Sequence, residues 1–182
     1  KIEAETLVLE HAPFDLAKLL LRVVALIHAN ADEYNIHFKG GKEMSTLIHK
    51  KLIGSEVYLN RVLMNLASNA IKYNKKNGTV TVYATEISSD EDIAVYEFVC
   101  SDTGMGMSEE FQKHAFEPFS REGKETTTGY SGTGIGLSIV KDIVELMKGT
   151  ITLKSEENVG TTFTVRIPFE IDKNAREIVN DE

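Results

Sequence analysis

Two asparagines and a lysine lie at helical spacing between residues 56 and 73. Asn65, Asn69 and Lys72 are four and three residues apart, so at about 100° per residue they share one stripe of a predicted helix. Amide oxygens can ligate a hard cation such as Mg²⁺, and an ammonium group can face phosphate oxygens. A solvated helix face explains the same stripe, and Tyr73, between this stripe and the apolar face, also fits a core position.

A glycine-containing motif, Asp102-Thr-Gly104-Met-Gly106, follows an apolar, strand-like run. A carboxylate at the end of a strand can accept a hydrogen bond from an exocyclic amine. Glycines let the backbone lie against a flat ring without intervening side chains. An ordinary turn explains so short a motif as well.

A second glycine motif, Gly132-Thr133-Gly134-Ile135-Gly136-Leu137, opens a predicted helix. Backbone N–H groups exposed at the start of a helix form a site for phosphate. The spacing matches neither the phosphate-loop pattern nor the dinucleotide-binding pattern, so both of those nucleotide folds are disfavoured.

An aromatic motif, Phe116-Glu-Pro-Phe119-Ser-Arg121, lies between the two glycine motifs. Its aromatic residues could anchor one end of a mobile loop, and Arg121 could reach a phosphate when that loop closes. The alternative is that Phe116 and Phe119 are core residues and Arg121 is a surface charge.

Hydrophobic periodicity predicts the elements that position these residues. A first helix begins at Leu16 with Asp15 as its cap, and Ser55 precedes a second. Further helices are predicted at 109–115 and 137–147, and strands at 7–10, 36–39, 47–52, 79–87, 93–100, 150–154 and 161–168. This order favours an α+β fold, a two-layer α/β sandwich in which a mixed, mostly antiparallel sheet packs on three main helices.

Bulk properties limit the classes of function. The 182 residues suit one domain, and a net charge of −8 without a long basic run argues against nucleic acid as a partner. The single cysteine, Cys100, excludes an internal disulfide framework and a multi-cysteine metal site. The longest apolar stretch, 16–29, contains Lys18 and Arg22 and is shorter than a membrane span. We expect a cytoplasmic domain without membrane contact.

Taken in order, the four motifs resemble the N box, first glycine box, F box and second glycine box of sensor histidine kinases. The N box corresponds to Asn65-Leu-Ala-Ser-Asn69-Ala-Ile-Lys72-Tyr73. The similarity extends from residues 1–5 and 13–16 to residues 160–168. It implies a Bergerat-type sandwich, shared with DNA gyrase, mismatch-repair and heat-shock chaperone ATPases, with ATP and Mg²⁺ under a flexible lid.

The resemblance also implies residue roles. Asn69 holds Mg²⁺ with Asn65 close to the metal or phosphates, and Asp102 reads the adenine amine. Asn69, Lys72 and Arg121 form the catalytic set. The nucleotide is bound by Asn65, Asn69, Lys72, Tyr73, Asp102, Gly104, Gly106, Phe119, Gly132, Thr133, Gly134, Ile135, Gly136, Leu137 and Thr162. Asn74 stands where the family often has Thr, and Ser55 where an acid is common; neither is a proposed ligand.

Position 65 chooses between transfer and hydrolysis. Hydrolytic relatives carry Glu four residues before the metal-binding Asn, whereas Asn65 has no basic lone pair to accept a proton from water. Phosphoryl transfer to a side chain is therefore preferred. In the family the acceptor is a His on a preceding helical hairpin, within a His-Glu/Asp motif that none of the five histidines here has.

These implications give a domain division and a set of partners. Residues 1–6 are expected to be the end of the dimerisation hairpin, 7–170 the catalytic domain and 171–182 a polar tail. The partners are that hairpin of the same protein and a response-regulator receiver domain, and the isolated chain is expected to be monomeric. Two alternatives are a nucleotide-gated protein-binding module and a gyrase- or chaperone-type ATPase.

Overall fold

The computed structural model describes residues 8–41, 46–118 and 136–175. Within these ranges the chain forms seven strands and four helices. In order they are β1 (Ala12–Asp15), α1 (Leu16–Glu33), β2 (His37–Gly40), β3 (Lys51–Gly54), α2 (Glu56–Lys72), β4 (Thr79–Ser89), β5 (Ile93–Asp102), α3 (Glu109–Gln112), α4 (Gly136–Leu146), β6 (Thr150–Glu156) and β7 (Gly160–Ile171).

The strands form one sheet in the order β1-β3-β7-β5-β4-β2, and β6 pairs with β7 beside this path. Only β2 and β4 are parallel within the described ranges. One edge of β7 pairs with β5, while the other pairs first with β6 and, at residues 170–171, with β3. The predicted mixed, mostly antiparallel sheet is confirmed.

The core lies between one face of this sheet and a layer of helices. Tyr96 and Phe98 on β5 and Phe163 and Val165 on β7 are buried at alternate positions, whereas Arg166 is exposed. The helix α2 packs against both α1 and α4. The arrangement is the predicted two-layer sandwich with three main helices.

Local capping sets where the helices begin. The Asp15 carboxylate accepts a hydrogen bond from the Lys18 N–H at 3.1 Å. The Ser55 hydroxyl accepts one from the Tyr58 N–H at 3.3 Å. Both caps satisfy N–H groups that a helix leaves without an internal partner. The starts of α1 and α2 therefore agree with the sequence-based prediction.

The strand predicted at 7–10 is wrong for the described residues 8–10. The first strand is Ala12–Asp15, and it pairs with Lys51–Gly54. Residues 8–10 extend beyond Ala12, which lies opposite Gly54 at the end of β3. Apolar character alone forms no strand where no neighbouring strand offers hydrogen bonds.

The strand predicted at 47–52 is only partly correct, because β3 covers Lys51–Gly54. The Glu86 carboxylate accepts hydrogen bonds from the N–H groups of Ile48 at 3.1 Å and His49 at 3.3 Å. A side chain thus takes the place of a strand partner for these amides.

Candidate functional site

The polar stripe of α2 lies at the edge of the core. Leu59, Val62 and Leu66 are buried, while Asn65 and Asn69 are partly exposed. Lys72, the last residue of α2, is also partly exposed. The three polar side chains therefore border the apolar face.

The first glycine motif is seated on the C-terminal end of α2. The Met105 N–H donates to the carbonyl oxygen of Tyr73, the C-cap residue of α2, at 3.0 Å. A Cβ at Gly104 would lie 2.4 Å from that same oxygen. Gly104 therefore lets the backbone pack against α2. The structure thus gives a different reason for a glycine here than the expected contact with a flat ring. The packing places Asp102 near the end of the polar stripe.

Gly106 packs against a different part of the chain. Its φ is +64°, and a Cβ there would lie 1.9 Å from the carbonyl oxygen of Glu156. The adjacent Met105 carbonyl accepts a hydrogen bond from the Asn158 N–H at 2.6 Å. The turn between β6 and β7 thus packs against this loop.

Asp102, the last residue of β5, is partly buried. Burial raises the pKa of its carboxyl to about 6, although hydrogen bonds from the backbones of Gly104 and Thr161 act in the opposite direction. The Gly104 N–H lies 2.8 Å from Oδ1. A further donor from a ligand would stabilise the ionised form, so this carboxylate is suited to recognise an amine.

The register of β5 and β7 distinguishes two neighbouring threonines. Asp102 is paired with Thr161, and Ser101 with Thr162. Side chains alternate along a strand, so Thr161 shares the core-facing side with Asp102. Thr162 points to the other side, where its Oγ1 lies 2.7 Å from the Ser101 hydroxyl. The structure therefore brings Thr161, and not the predicted Thr162, beside the carboxylate.

Two further predicted residues begin α4, which packs against α2. Within the described residues, a Cβ at Gly136 would meet nothing within 4 Å, whereas Leu137 packs against the core. The backbone N–H groups at the start of α4 are the kind of donors that an anion site uses.

Phe116, which precedes α4 in the chain, is packed against two other side chains. Its ring packs edge-on against Phe163, with centroids 6.2 Å apart, and Lys141 Nζ lies 5.5 Å from its centroid. These contacts fit the anchoring role proposed for the aromatic motif. Outside the described residues lie Phe119, Arg121, Gly132, Thr133, Gly134 and Ile135.

The donor chemistry available for a cation is limited. Residues 8–41, 46–118 and 136–175 contain no cluster of three or more His, Cys, Asp or Glu side chains that could hold a metal ion. The amides of Asn65 and Asn69 fit a hard cation as neutral oxygen donors, and phosphate oxygens of a ligand would have to supply the negative charge. These two residues could therefore hold Mg²⁺ together with a nucleotide.

Sequence reasoning missed several residues that support this site. Asn74 is fully buried at the junction of α2 and the loop. The Ser155 hydroxyl accepts a hydrogen bond from the Met107 N–H at 2.7 Å, and Gln112 Nε2 donates to the Met107 carbonyl at 2.9 Å. Small polar residues in loops and at strand ends carry no periodic signal, whereas strand parity could have singled out Thr161.

The fold and this arrangement define a class of ATPase-like domains. The chain belongs to the histidine kinase-, DNA gyrase B-, and HSP90-like ATPase family, whose model matches residues 54–171.

Relatives within this family include several kinases. The autoinducer 2 sensor kinase/phosphatase LuxQ of Vibrio parahaemolyticus is 37% identical over 65% of this chain and 14% of LuxQ. The signal transduction histidine-protein kinase BarA of Escherichia coli is 30% identical over 96% of this chain and 19% of BarA. Hybrid signal transduction histidine kinase A of Dictyostelium discoideum is 32% identical over 93% of this chain and 8% of that protein. The chain thus spans less than a fifth of each relative's length.

Solved structures agree with the sequence relatives. Full-length ShkA in complex with AMPPNP superposes with a TM-score of 0.74 and 27% identity, covering 93% of this chain and 33% of ShkA. The catalytic domain of histidine kinase ThkA superposes with a TM-score of 0.65 and 25% identity, covering 87% of this chain and 95% of that domain. Within the described part of the chain, no helix is both long and apolar enough to cross a membrane.

Proposed function

We propose that the chain is the ATP-binding catalytic domain of a two-component sensor histidine kinase. It transfers the γ-phosphoryl group of ATP to a His on a helical hairpin. The observation that carries this proposal is the pairing of a neutral amide stripe, Asn65 and Asn69, with the partly buried carboxylate of Asp102 at one junction. The histidine-kinase names of the relatives support it.

In this proposal the nucleotide spans the junction of α2 and the first glycine loop. Asp102 accepts a hydrogen bond from the adenine amine, with Thr161 beside it and Tyr73 along the pocket. Asn69 and Asn65 hold Mg²⁺ against the phosphates, and Lys72 contacts a phosphate directly. The segment 132–137 meets the phosphates at the start of α4, while Phe119 and Arg121 belong to the lid.

The proposed reaction requires the protein to position the reacting groups and to compensate their charge. An imidazole nitrogen of the acceptor His attacks the γ-phosphorus, and the bond to the β–γ bridging oxygen breaks, releasing ADP. Mg²⁺ neutralises charge on the phosphate oxygens when it is bound. The side chains of this domain align the γ-phosphoryl group and exclude water, which is the main catalytic contribution in phosphoryl transfer.

Hydrolysis is less well supported than transfer. A general base must accept a proton from the attacking water, and the amide of Asn65 cannot do so. The relatives are named as kinases rather than as gyrase- or chaperone-type ATPases. Neither that alternative nor a catalytically weak, nucleotide-gated protein-binding module is favoured.

Phosphotransfer in trans tests the proposal. The chain is mixed with γ-labelled ATP, Mg²⁺ and the phosphoacceptor hairpin of the parent protein, and the label is followed on both polypeptides. We expect acid-labile label on the hairpin only, and its loss when the acceptor His is replaced by Gln. Phosphate release without the hairpin, at a rate equal to transfer, would instead identify an ATPase.

The proposal includes partners and boundaries. The hairpin of the same protein supplies the dimer contacts and the acceptor His, and a receiver domain accepts the phosphoryl group next; the Dictyostelium relative is named a hybrid kinase. Residues 7–170 form the catalytic domain, between a hairpin end at 1–6 and a polar tail at 171–182, of which Ile171 still belongs to β7. We place this domain in the cytoplasm, where ATP is available.

A further inference from the structure

We infer that Asn74 is a positioning residue that fixes the adenine-reading loop to α2 and thereby sets base selectivity. The inference rests on the proposed function. Asn74 follows the C-cap residue of α2 and has no solvent-exposed surface. A buried polar side chain at such a junction is stable only when its donor and acceptor are both used.

Both ends of the Asn74 amide are hydrogen-bonded. Its Nδ2 donates to the Thr79 carbonyl at 3.1 Å, at the start of β4. Its Oδ1 accepts from the Lys75 N–H at 2.9 Å. A Cβ at Gly78 would lie 2.1 Å from this oxygen, so the turn closes tightly over the amide. Asn74 thus joins the end of α2 to the beginning of β4.

The same amide reaches the glycine loop through Thr103. The Thr103 hydroxyl lies 3.5 Å from Asn74 Oδ1 and accepts a hydrogen bond from the Thr79 N–H at 2.9 Å. The Thr103 N–H donates to the Thr79 carbonyl at 3.1 Å, the acceptor that Asn74 also uses. Gly104 then lies against the Asn74 backbone, since a Cβ there would be 3.0 Å from the Asn74 Cα.

These contacts end at the carboxylate that reads adenine. The Gly104 N–H lies 2.8 Å from Asp102 Oδ1, so a shift of Gly104 is expected to move this carboxylate, which the Thr161 backbone also holds. Asn74 contacts no ligand in the proposed complex and acts through this loop. Its loss is expected to displace the adenine acceptor relative to the phosphate-binding stripe of α2, and small displacements weaken such recognition.

Base selectivity tests the inference, because a purely structural role of Asn74 would leave the ratio of adenosine to guanosine affinity unchanged. The 182-residue chain is titrated with adenosine and with guanosine by calorimetry, for the original sequence and for Asn74→Ala. We expect the affinity for adenosine to fall about tenfold, the equivalent of roughly one hydrogen bond, and the preference for adenosine over guanosine to narrow by the same factor.

Tyr96→Phe is the matched control. It removes a buried hydroxyl that lies within hydrogen-bond distance of two acceptors, the His49 carbonyl and Glu86 Oε1. Position 96 lies six residues before Asp102 on the same strand, roughly 20 Å away. This variant is expected to lose stability and to keep the adenosine-to-guanosine ratio.

The outcomes separate the inference from the proposed function. An original chain that is folded but binds no adenosine contradicts the nucleotide site itself. If the original chain prefers adenosine and Asn74→Ala keeps the same ratio of adenosine to guanosine affinity, only the inference is overturned. If Asn74→Ala does not fold, Thr103→Val, which removes the intervening hydroxyl, takes its place, and an unchanged ratio in that variant overturns the inference equally.

Discussion

Asp102 illustrates how one side chain can be prepared for a ligand. Its side chain is partly buried, and the resulting loss of solvation raises the pKa of the carboxyl to about 6. Two backbone hydrogen bonds, from Gly104 and Thr161, oppose this shift without cancelling it. The carboxylate therefore holds its charge near neutral pH but gains from any additional donor, as an adenine amine would provide.

Adenosine binding should depend on pH through this group. Because the amine bonds best to the ionised carboxylate, affinity is expected to be constant above about pH 7 and to fall by up to about tenfold per pH unit below pH 6. Calorimetry with adenosine measures this, since the ligand carries no titrating phosphate. Asp102→Asn is expected to bind weakly at every pH, and a steep decline that persists in that variant would assign the effect to another group.

The same shift affects stability. A raised pKa in the folded state stabilises the chain below the ordinary pKa of 3.8, and this contribution disappears as pH rises through about 6. The free energy of unfolding of Asp102→Asn, minus that of the original chain, is therefore expected to be larger at pH 8 than at pH 4. Urea unfolding monitored by circular dichroism measures this difference. A stability difference between the two chains that is independent of pH would contradict the shift.

Asn69 should be needed for the metal-dependent part of ATP binding. Asn69→Ala is expected to lower ATP affinity in Mg²⁺ by about tenfold or more while leaving adenosine affinity unchanged, because only phosphate-bound Mg²⁺ uses the amide. Asn60→Ala is the matched control: the same replacement on α2, at a partly exposed position outside the predicted stripe. Equal losses in the two variants would point to a general effect on the helix.

At the scale of the elements, a buried carboxylate replaces a missing strand pairing. Glu86 lies on β4, and its side chain is 4% exposed. Its Oε1 lies 2.8 Å from His49 Nδ1 and 3.1 Å from the Tyr96 hydroxyl, and the two carboxylate oxygens accept the Ile48 and His49 N–H groups. The segment before β3 is thereby attached to β4 and β5 by side-chain bonds.

Removing this carboxylate should destabilise the domain. Glu86→Ala is expected to lower the free energy of unfolding by about 2–5 kcal/mol, because it removes an acceptor of the partly buried His49 groups and of the buried Tyr96 hydroxyl. Glu97→Ala is the comparison: it breaks the 2.8 Å ion pair with the largely exposed Arg166 and should cost less than about 1 kcal/mol. Urea denaturation of both variants measures these changes. Equal decreases in the free energy of unfolding would contradict the proposed role of Glu86.

At the scale of the whole molecule, two glycines that look alike in the sequence have opposite surroundings. Gly106 has a φ of +64° and faces the turn between β6 and β7 without room for a Cβ, whereas a Cβ at Gly136, the first residue of α4, would meet nothing within 4 Å in the described part of the chain. The first residue holds two parts of the chain together. The second stands beside the segment proposed to meet the phosphates.

Alanine replacements at these two glycines should therefore have different effects on the free energy of unfolding. Gly106→Ala is expected to destabilise the chain by about 2 kcal/mol or more, through the left-handed backbone and the clash with Glu156. Gly136→Ala is expected to be neutral or to stabilise by about 0.5–1 kcal/mol, since Ala restricts the unfolded chain and favours a helix. Thermal unfolding measures both, and a stable Gly106→Ala variant would mean that the loop can leave the turn.

Much of the fold was predictable because its signals are local. The caps Asp15 and Ser55 act within three residues, and the spacing of Asn65, Asn69 and Lys72 already places them together on a helix. Alternating apolar residues predicted the antiparallel pair β4 and β5. The motifs of the candidate site were recognisable for the same reason.

Other features depend on partners far away in the chain, and no local pattern encodes these. By itself the sequence determined the helices, most strands and the amide stripe. Only the tertiary structure decided that Glu86 takes the place of a strand, that Thr161 rather than Thr162 lies beside Asp102, and that Asn74 joins α2 to the loop. The physical reason is that strand register and buried hydrogen bonds are settled when distant segments pack, after each segment's own periodicity has been satisfied.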